Sequence, residues 1–266
     1  NQMKIRSRVG TLLIATCAIA VGVGAMTPAV AAKPTPRESE KLAKTDAGPD
    51  DITVDAFGNI YTANSRANTV TKITPNGKPA TLGTTGSNPR GIAVDESGNV
   101  YTSNLESNNV SKITPDGTST ILGTTGNQPI DIALDSDGNV YTSNYLDSTV
   151  TKITPDGVSV TLATTGSQPL GIVVDPAGNV YTANEGSNNV SKITPDGESS
   201  ILAKTGGWPQ AMVMDRVGNL YTANWNSRNV SKITPSGKSK ILGTTERRPI
   251  GITIDPYGNI FTTNDG

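Results

Sequence analysis

Three carboxylates stand out because the residues around them repeat and they do not: Asp50, Asp51 and Asp131. Calcium and magnesium take oxygen ligands, and two or three acids converging on one point would hold such an ion. A cation so placed polarises a carbonyl, which points to lactone or ester substrates. The competing reading is three solvated acids, since burying unpaired charge is costly. A second acidic run, Asp135-Ser136-Asp137-Gly138-Asn139, opens like a calcium-binding loop. Such a loop needs a bidentate glutamate at its twelfth position, where this chain has Leu146. That run therefore reads as a turn. Imidazole chemistry is excluded within these 266 residues, which contain no histidine and one cysteine.

The elements that must position these residues follow from a 40-residue unit repeated without insertion or deletion. Copies begin at Asp51, Gly91, Asp131, Gly171, Ala211 and Gly251. A fixed period in this range marks an array of like supersecondary units that bury each other's apolar faces. The copy at residues 91–130 shows four β-type stretches with period-two alternation and no helical period. They are residues 91–95, 99–104, 110–114 and about 119–125. Gly98 and the Pro115-Asp116-Gly117 run supply the turns, proline presetting φ and glycine taking the left-handed position.

Four strands per unit arranged around a ring is the β-propeller pattern. The expected fold class is all-β, a six-bladed β-propeller of 40-residue four-stranded repeats. Residues 38–50 align without a gap with residues 198–210, so an N-terminal strand is expected to close the last blade. That blade, starting at Gly251, lacks a counterpart of Val230 to Thr234 and is incomplete, leaving unpaired edges. With Asn1 and Gln2 ahead of Met3, this suggests a partial reading of a longer gene product.

The N-terminus reads as a signal peptide over residues 1–32. Lys4, Arg6 and Arg8 precede a mostly apolar run, and Ala29-Val30-Ala31 is a small-x-small cleavage pattern. Cys17 lies inside that run, so the mature chain would carry no disulfide. Residues 33–40 form a polar tether, and 41–266 the propeller. Cleavage leaves 19 basic against 23 acidic residues, a net charge of −4, with no basic block. A nucleic-acid partner, which wants a clustered basic face, is not expected. The mature chain is expected to lack a membrane span, to act as a monomer, and to be secreted, periplasmic or at the cell surface.

Repeated polar residues have a structural explanation. Asp95, Asn99, Asn104 and their counterparts recur in every copy, whereas a catalytic site is one constellation. Short Asx side chains hydrogen-bond turn backbone. Tyr61, Tyr101, Tyr141, Tyr181, Tyr221 and Phe261 hold one position per blade, and the loss of the hydroxyl at Phe261 marks the set as a packing ladder. Function is expected where copies differ, on the face carrying the strand-two to strand-three loops and the blade connectors. There Arg90, Leu105, Tyr145, Trp208, Trp225, Arg228 and Arg247 place aromatics and arginines among polar residues, the composition of an interaction surface.

The run Pro-x-Gly-Ile-x-Val-Asp-x-x-Gly-Asn-Val-Tyr-x-x-Asn at residues 169–184, followed by Asn-Asn-Val-x-Lys-Ile, resembles the NHL-repeat propellers. The likeness covers residues 38–266. Related propellers include the gluconolactonase-like enzymes and the streptogramin lyases, whose Ile-Thr-Pro-x-Gly element is also present. The lyases use histidine as base or metal ligand, which maps to no position here. The gluconolactonase-like group uses a carboxylate and asparagine cation site, which stays open for Asp50, Asp51 and Asp131. The sequence thus leads to a secreted binding module for a protein, peptide or glycan, without a cofactor. The alternative is a hydrolase or lyase holding calcium or magnesium at the channel mouth.

Overall fold

A computed structural model describes residues 42–265, all of the regular structure in it being β. Among the described residues no helix is long and apolar enough to cross a membrane. The signal peptide and tether expected from the sequence lie outside the described residues.

The first repeat builds β1 (Pro49–Val54), β2 (Ile60–Asn64), β3 (Thr69–Ile73) and β4 (Pro79–Thr84), paired antiparallel in chain order. Four further four-stranded sheets follow, then a two-stranded one. Their first strands are β5 (Pro89–Val94), β9 (Pro129–Leu134), β13 (Pro169–Val174), β17 (Pro209–Met214) and β21 (Arg248–Ile254). Successive first strands, from β1 through to β21, contact one another in turn, which makes them the inner strands lining a common axis.

The turns form as their residues dictate. In the second repeat Gly98 sits at φ +80° and donates its amide to the Asp95 carbonyl, and Gly117 sits at φ +90° and donates to that of Thr114. A side chain at Gly117 would also meet the Leu82 carbonyl at 2.7 Å, so glycine is required there twice over.

The core lies between sheets rather than within one. Tyr61, Ala63 and Val70 of the first repeat pack against Ile92, Val100 and Ile113 of the second. Tyr101 and Val110 do the same with Ile132, Val140 and Ile153. The second strand of each of the first five repeats is buried along its whole length, because neighbours cover both of its faces. Phe261, in the last sheet, is 54% exposed.

The segment before β1 packs on the first sheet as the connectors pack on theirs. The Asp46 amide donates to Thr71 Oγ1, as those of Gly86 and Gly126 donate to Ser111 and Thr151. The Leu42 carbonyl faces Gly77 as that of Leu82 faces Gly117. Residues 42–45 are not in a strand, and residues 38–41 lie outside the described part.

Candidate functional site

The strand-two to strand-three loops and the sheet connectors are tied together on one face. Asn88 in a connector receives the Leu105 amide on its carbonyl and donates its own amide to Asn68 Oδ1. Both loop types need one left-handed residue. Connectors use Asn88, Gln128, Gln168 and Trp208, and the loops use Asn68, Asn108, Ser148, Asn188 and Arg228. Asparagine takes this conformation at low cost; tryptophan does not.

On this face the unrepeated side chains meet one another. Trp208 stacks on Trp225 with ring centroids 5.2 Å apart and planes within 12°. The Arg248 guanidinium caps Trp225 at 4.0 Å from its centroid. In the two preceding repeats, the Tyr145 hydroxyl donates to Glu185 Oε2 at 3.2 Å and receives Gln168 Nε2 at 2.8 Å. Gln210 Nε2 then donates to Glu185 Oε1 at 3.1 Å. Arg228 and Arg247 line a groove of about 340 Å³ with Glu246, Arg248 and Asp265.

Two expected residues stand apart from this cluster. Leu105 is half-buried at the loop position equivalent to Tyr145 and Trp225. Arg90 pairs with Asp50 at 3.3 Å. Glu185, Gln210 and Arg248 fall in the variable stretches of this face without being named as its binding residues, and Gln168 was not singled out. Glu185 was detectable, since it occupies the repeat position of Tyr145, one copy further along.

Asp51 and Asp131 do line the axis, but each is committed to backbone. Asp51 accepts the Ile52 amide at 2.8 Å and the Ile92 amide of the next sheet at 3.0 Å. Asp131 accepts those of Ile132 and Ile172 at the same distances. Both keep some solvent-accessible area, yet enough protein surrounds them to make burial the dominant influence on their protonation. It pushes Asp51 up to about 6, against the pull of its two amide donors and with a smaller contribution from Asp50. Asp131 rises to about 7, through burial first and the Asp51 charge second. Asp50 turns to Arg90. Among the described residues no three His, Cys, Asp or Glu side chains are arranged to hold a metal ion.

The repeated residues are consumed by structure. Asp135 accepts the amides of Asp137 and Asn139, the Asn139 side-chain amide and the Tyr141 hydroxyl, all at 2.8–3.0 Å. Burial raises its pKa, but these donors outweigh it and hold the carboxyl below its ordinary value. The calcium-like run is therefore a turn. One refinement concerns the tyrosines, which are more than a packing ladder. In the first five repeats the hydroxyl donates to the turn aspartate, and a lysine of the third strand lies over the ring at 5.3–5.9 Å. Asn104 is fully buried, bonded to Thr102, Asn109 and Ser111.

Five four-stranded antiparallel sheets following one another about an axis, with a variable loop face, define a propeller-type protein. The virginiamycin B lyase family model matches residues 19–266. The chain belongs to that family. Among solved structures it is similar to a catalytically inactive histidine-to-alanine variant of virginiamycin B lyase from Staphylococcus aureus with quinupristin. That likeness has 21% identity and a TM-score of 0.71, covering 80% of this chain and 75% of that one. A gluconolactonase from Xanthomonas campestris matches at 18% identity and TM-score 0.63, over 82% of this chain and 84% of that one. The nidogen/laminin complex contains a chain matching at 20% identity and TM-score 0.61, over 74% and 82%. These likenesses establish the fold. No curated protein sequence matches the chain significantly.

Proposed function

We propose that this chain is an exported, monomeric propeller that binds a protein, peptide or glycan through its loop face. Its ring would have six blades, the last completed by the N-terminal segment, which already packs on the first sheet like a connector. The observation that carries the reading is the concentration of unrepeated side chains. Trp208, Trp225 and Arg248 stack together, and Tyr145, Gln168, Glu185 and Gln210 form one hydrogen-bonded row on the same face. Aromatic and arginine anchors of this kind dominate binding energy where they occur. One fold neighbour is a chain of the nidogen/laminin complex.

The test is a peptide and glycan array probed with the wild type and with a Tyr145→Ala/Trp208→Ala/Trp225→Ala triple variant. Ligands lost in the triple variant support the reading; ligands retained equally by both remove it.

A second reading is favoured by family membership: a hydrolase or lyase with calcium or magnesium at the channel mouth. Asp51 and Asp131 are its candidate ligands. In the Staphylococcus aureus lyase a histidine-to-alanine change inactivates the enzyme, and these 266 residues hold no histidine for that role. Calorimetry with calcium and magnesium, on wild type and an Asp51→Ala/Asp131→Ala variant, tests this reading. One-to-one binding lost in the variant supports it.

A further inference from the structure

Connector side chains on the loop face lean on the loop before them. Gln168 Nε2 meets the Tyr145 hydroxyl at 2.8 Å across 23 positions, and the Arg248 guanidinium lies 4.0 Å from the Trp225 centroid at the same spacing. That spacing also joins Glu185 to Trp208. Two hydrogen bonds tie these segments together. The Trp208 amide donates to Asn188 Oδ1 at 2.7 Å, and Gln210 Nε2 donates to Glu185 Oε1 at 3.1 Å. Trp208 thus stands between the Glu185 loop and Trp225, on which it stacks. Arg248 covers the other side of Trp225, so the free face of Trp208 turns toward the Glu185 loop and away from Arg248.

That face is open, Trp208 being 43% exposed. The residue also holds φ +57°, the left-handed conformation that Asn88 takes in its own connector. A bulky side chain is strained there, and strain of this kind gathers at functional sites. Electrostatics selects the occupant. An indole face carries the negative side of the ring quadrupole. Beside it, the Glu185 carboxylate receives only neutral donors, the Tyr145 hydroxyl and the Gln210 amide. Among the described residues no cation lies within ion-pair distance of Glu185. The loops and connectors of the second, third and fourth repeats add Glu106 and Asp147, and their one basic residue, Arg90, is paired with Asp50.

We propose, resting on the binding-face reading above, that Trp208 and Glu185 together receive an arginine side chain of a peptide or protein partner. The guanidinium plane stacks on the free Trp208 face, and its edge N–H groups donate to the Glu185 carboxylate. Each Glu185 oxygen accepts one hydrogen bond within the chain and keeps a second lone pair for this. A lysine ammonium offers neither the plane nor the fork. The molecule already contains half of the arrangement, the Arg248 guanidinium on Trp225. An anionic ligand is repelled by both elements of the site.

The test is calorimetric titration of the full chain with tetra-arginine, at physiological ionic strength so that diffuse attraction is screened. Tetracitrulline is the neutral probe of the same shape, and tetralysine the probe of the same charge. The expected result is saturable binding of tetra-arginine, at least tenfold tighter than either. Trp208→Asn restores the residue type found at Asn88 and so preserves the fold; it is expected to weaken binding at least tenfold, as is Glu185→Gln. Asp137→Asn removes one charge from an exposed turn between first and second strands, on the opposite face, and is expected to bind as wild type does. Absence of binding by the folded wild type, equal binding of tetracitrulline or tetralysine, or equal losses in Asp137→Asn and Glu185→Gln would overturn the proposal. Wild-type affinity in Trp208→Asn would do so too. If tetra-arginine fails while array ligands are still lost in the triple variant, the arginine assignment falls and the binding face stands. If the triple variant also retains every ligand, both fall.

Discussion

The Tyr145 hydroxyl donates to the Glu185 carboxylate at 3.2 Å, although the two residues lie one full repeat apart in sequence. They hold the same position in successive copies, and the ring geometry brings equivalent loop residues side by side. The phenol pKa is raised, first by burial and then by the Glu185 charge and hydrogen bond. Replacing Glu185 by Gln removes the charge and is expected to lower the Tyr145 pKa, with burial keeping it above that of free tyrosine. Ultraviolet titration at alkaline pH, with Tyr145→Phe identifying the band, measures the shift. The cost in stability should be about 0.5–1.5 kcal/mol, that of one net hydrogen bond.

Asp51 and Asp131 make a pH-dependent contribution of defined sign. Their folded-state pKa values lie above the unfolded one, so the folded state binds more protons between the ordinary carboxylate range and about pH 7. Their contribution is fully present below the unfolded pKa and is lost as pH rises through the folded values. The turn aspartates such as Asp135 run the opposite way, being held low. The informative quantity is therefore a difference. The stability of an Asp51→Asn/Asp131→Asn variant relative to wild type should increase from pH 5 to pH 8, by about 1–3 kcal/mol. Urea midpoints at the two pH values supply the measurement, and a pH-independent difference would contradict the assignment.

Copies of the turn aspartate should differ in importance according to where they sit. Asp135 takes four hydrogen bonds, one from the buried Tyr141 hydroxyl, which would be left without that acceptor. Asp135→Ala is expected to destabilise by about 2–3 kcal/mol. Asp255 serves an exposed turn in the last sheet, where the tyrosine position is Phe261. Asp255→Ala should cost distinctly less. Paired thermal melts of the two variants settle the order.

Gly171 is fixed by the neighbouring sheet. A β-carbon there would lie 2.8 Å from the Met212 amide nitrogen and 3.1 Å from two Ala211 backbone atoms. Backbone cannot step aside as a flexible side chain can, so Gly171→Ala should cost about 1–3 kcal/mol. Gly207→Ala meets only side-chain atoms, the Ser227 Oγ at 3.1 Å and the Asn226 side chain at 3.4 Å, and serves as the control. Denaturant midpoints of the pair give the comparison.

Much of this architecture was legible in the residues. The 40-residue period, the alternation within each copy and the Gly and Pro turn signals required four short strands per unit, because each device acts on its nearest neighbours in the chain. The inter-sheet tyrosine ladder was legible for the same reason: one aromatic per copy at a strand position must pack on the adjacent copy. The tyrosine hydroxyls were misjudged from Phe261. That copy has no hydroxyl, whereas in the other five the hydroxyl donates to the turn aspartate.

The sequence by itself determined that the protein is an all-β array, that its repeated Asp and Asn residues serve turns, and that its individuality lies on the loop face. Only the tertiary structure decided which unrepeated side chains meet. Trp208 and Trp225 are 17 positions apart and belong to different loop types, and nothing local draws them together until the sheet holds both loops at one edge. For Asp51 and Asp131 the sequence displays the charge and hides the backbone amides. In the folded chain the Ile92 and Ile172 amides come from neighbouring sheets and bind those carboxylates. A carboxylate's role depends on what faces it, and what faces it is set by packing across copies.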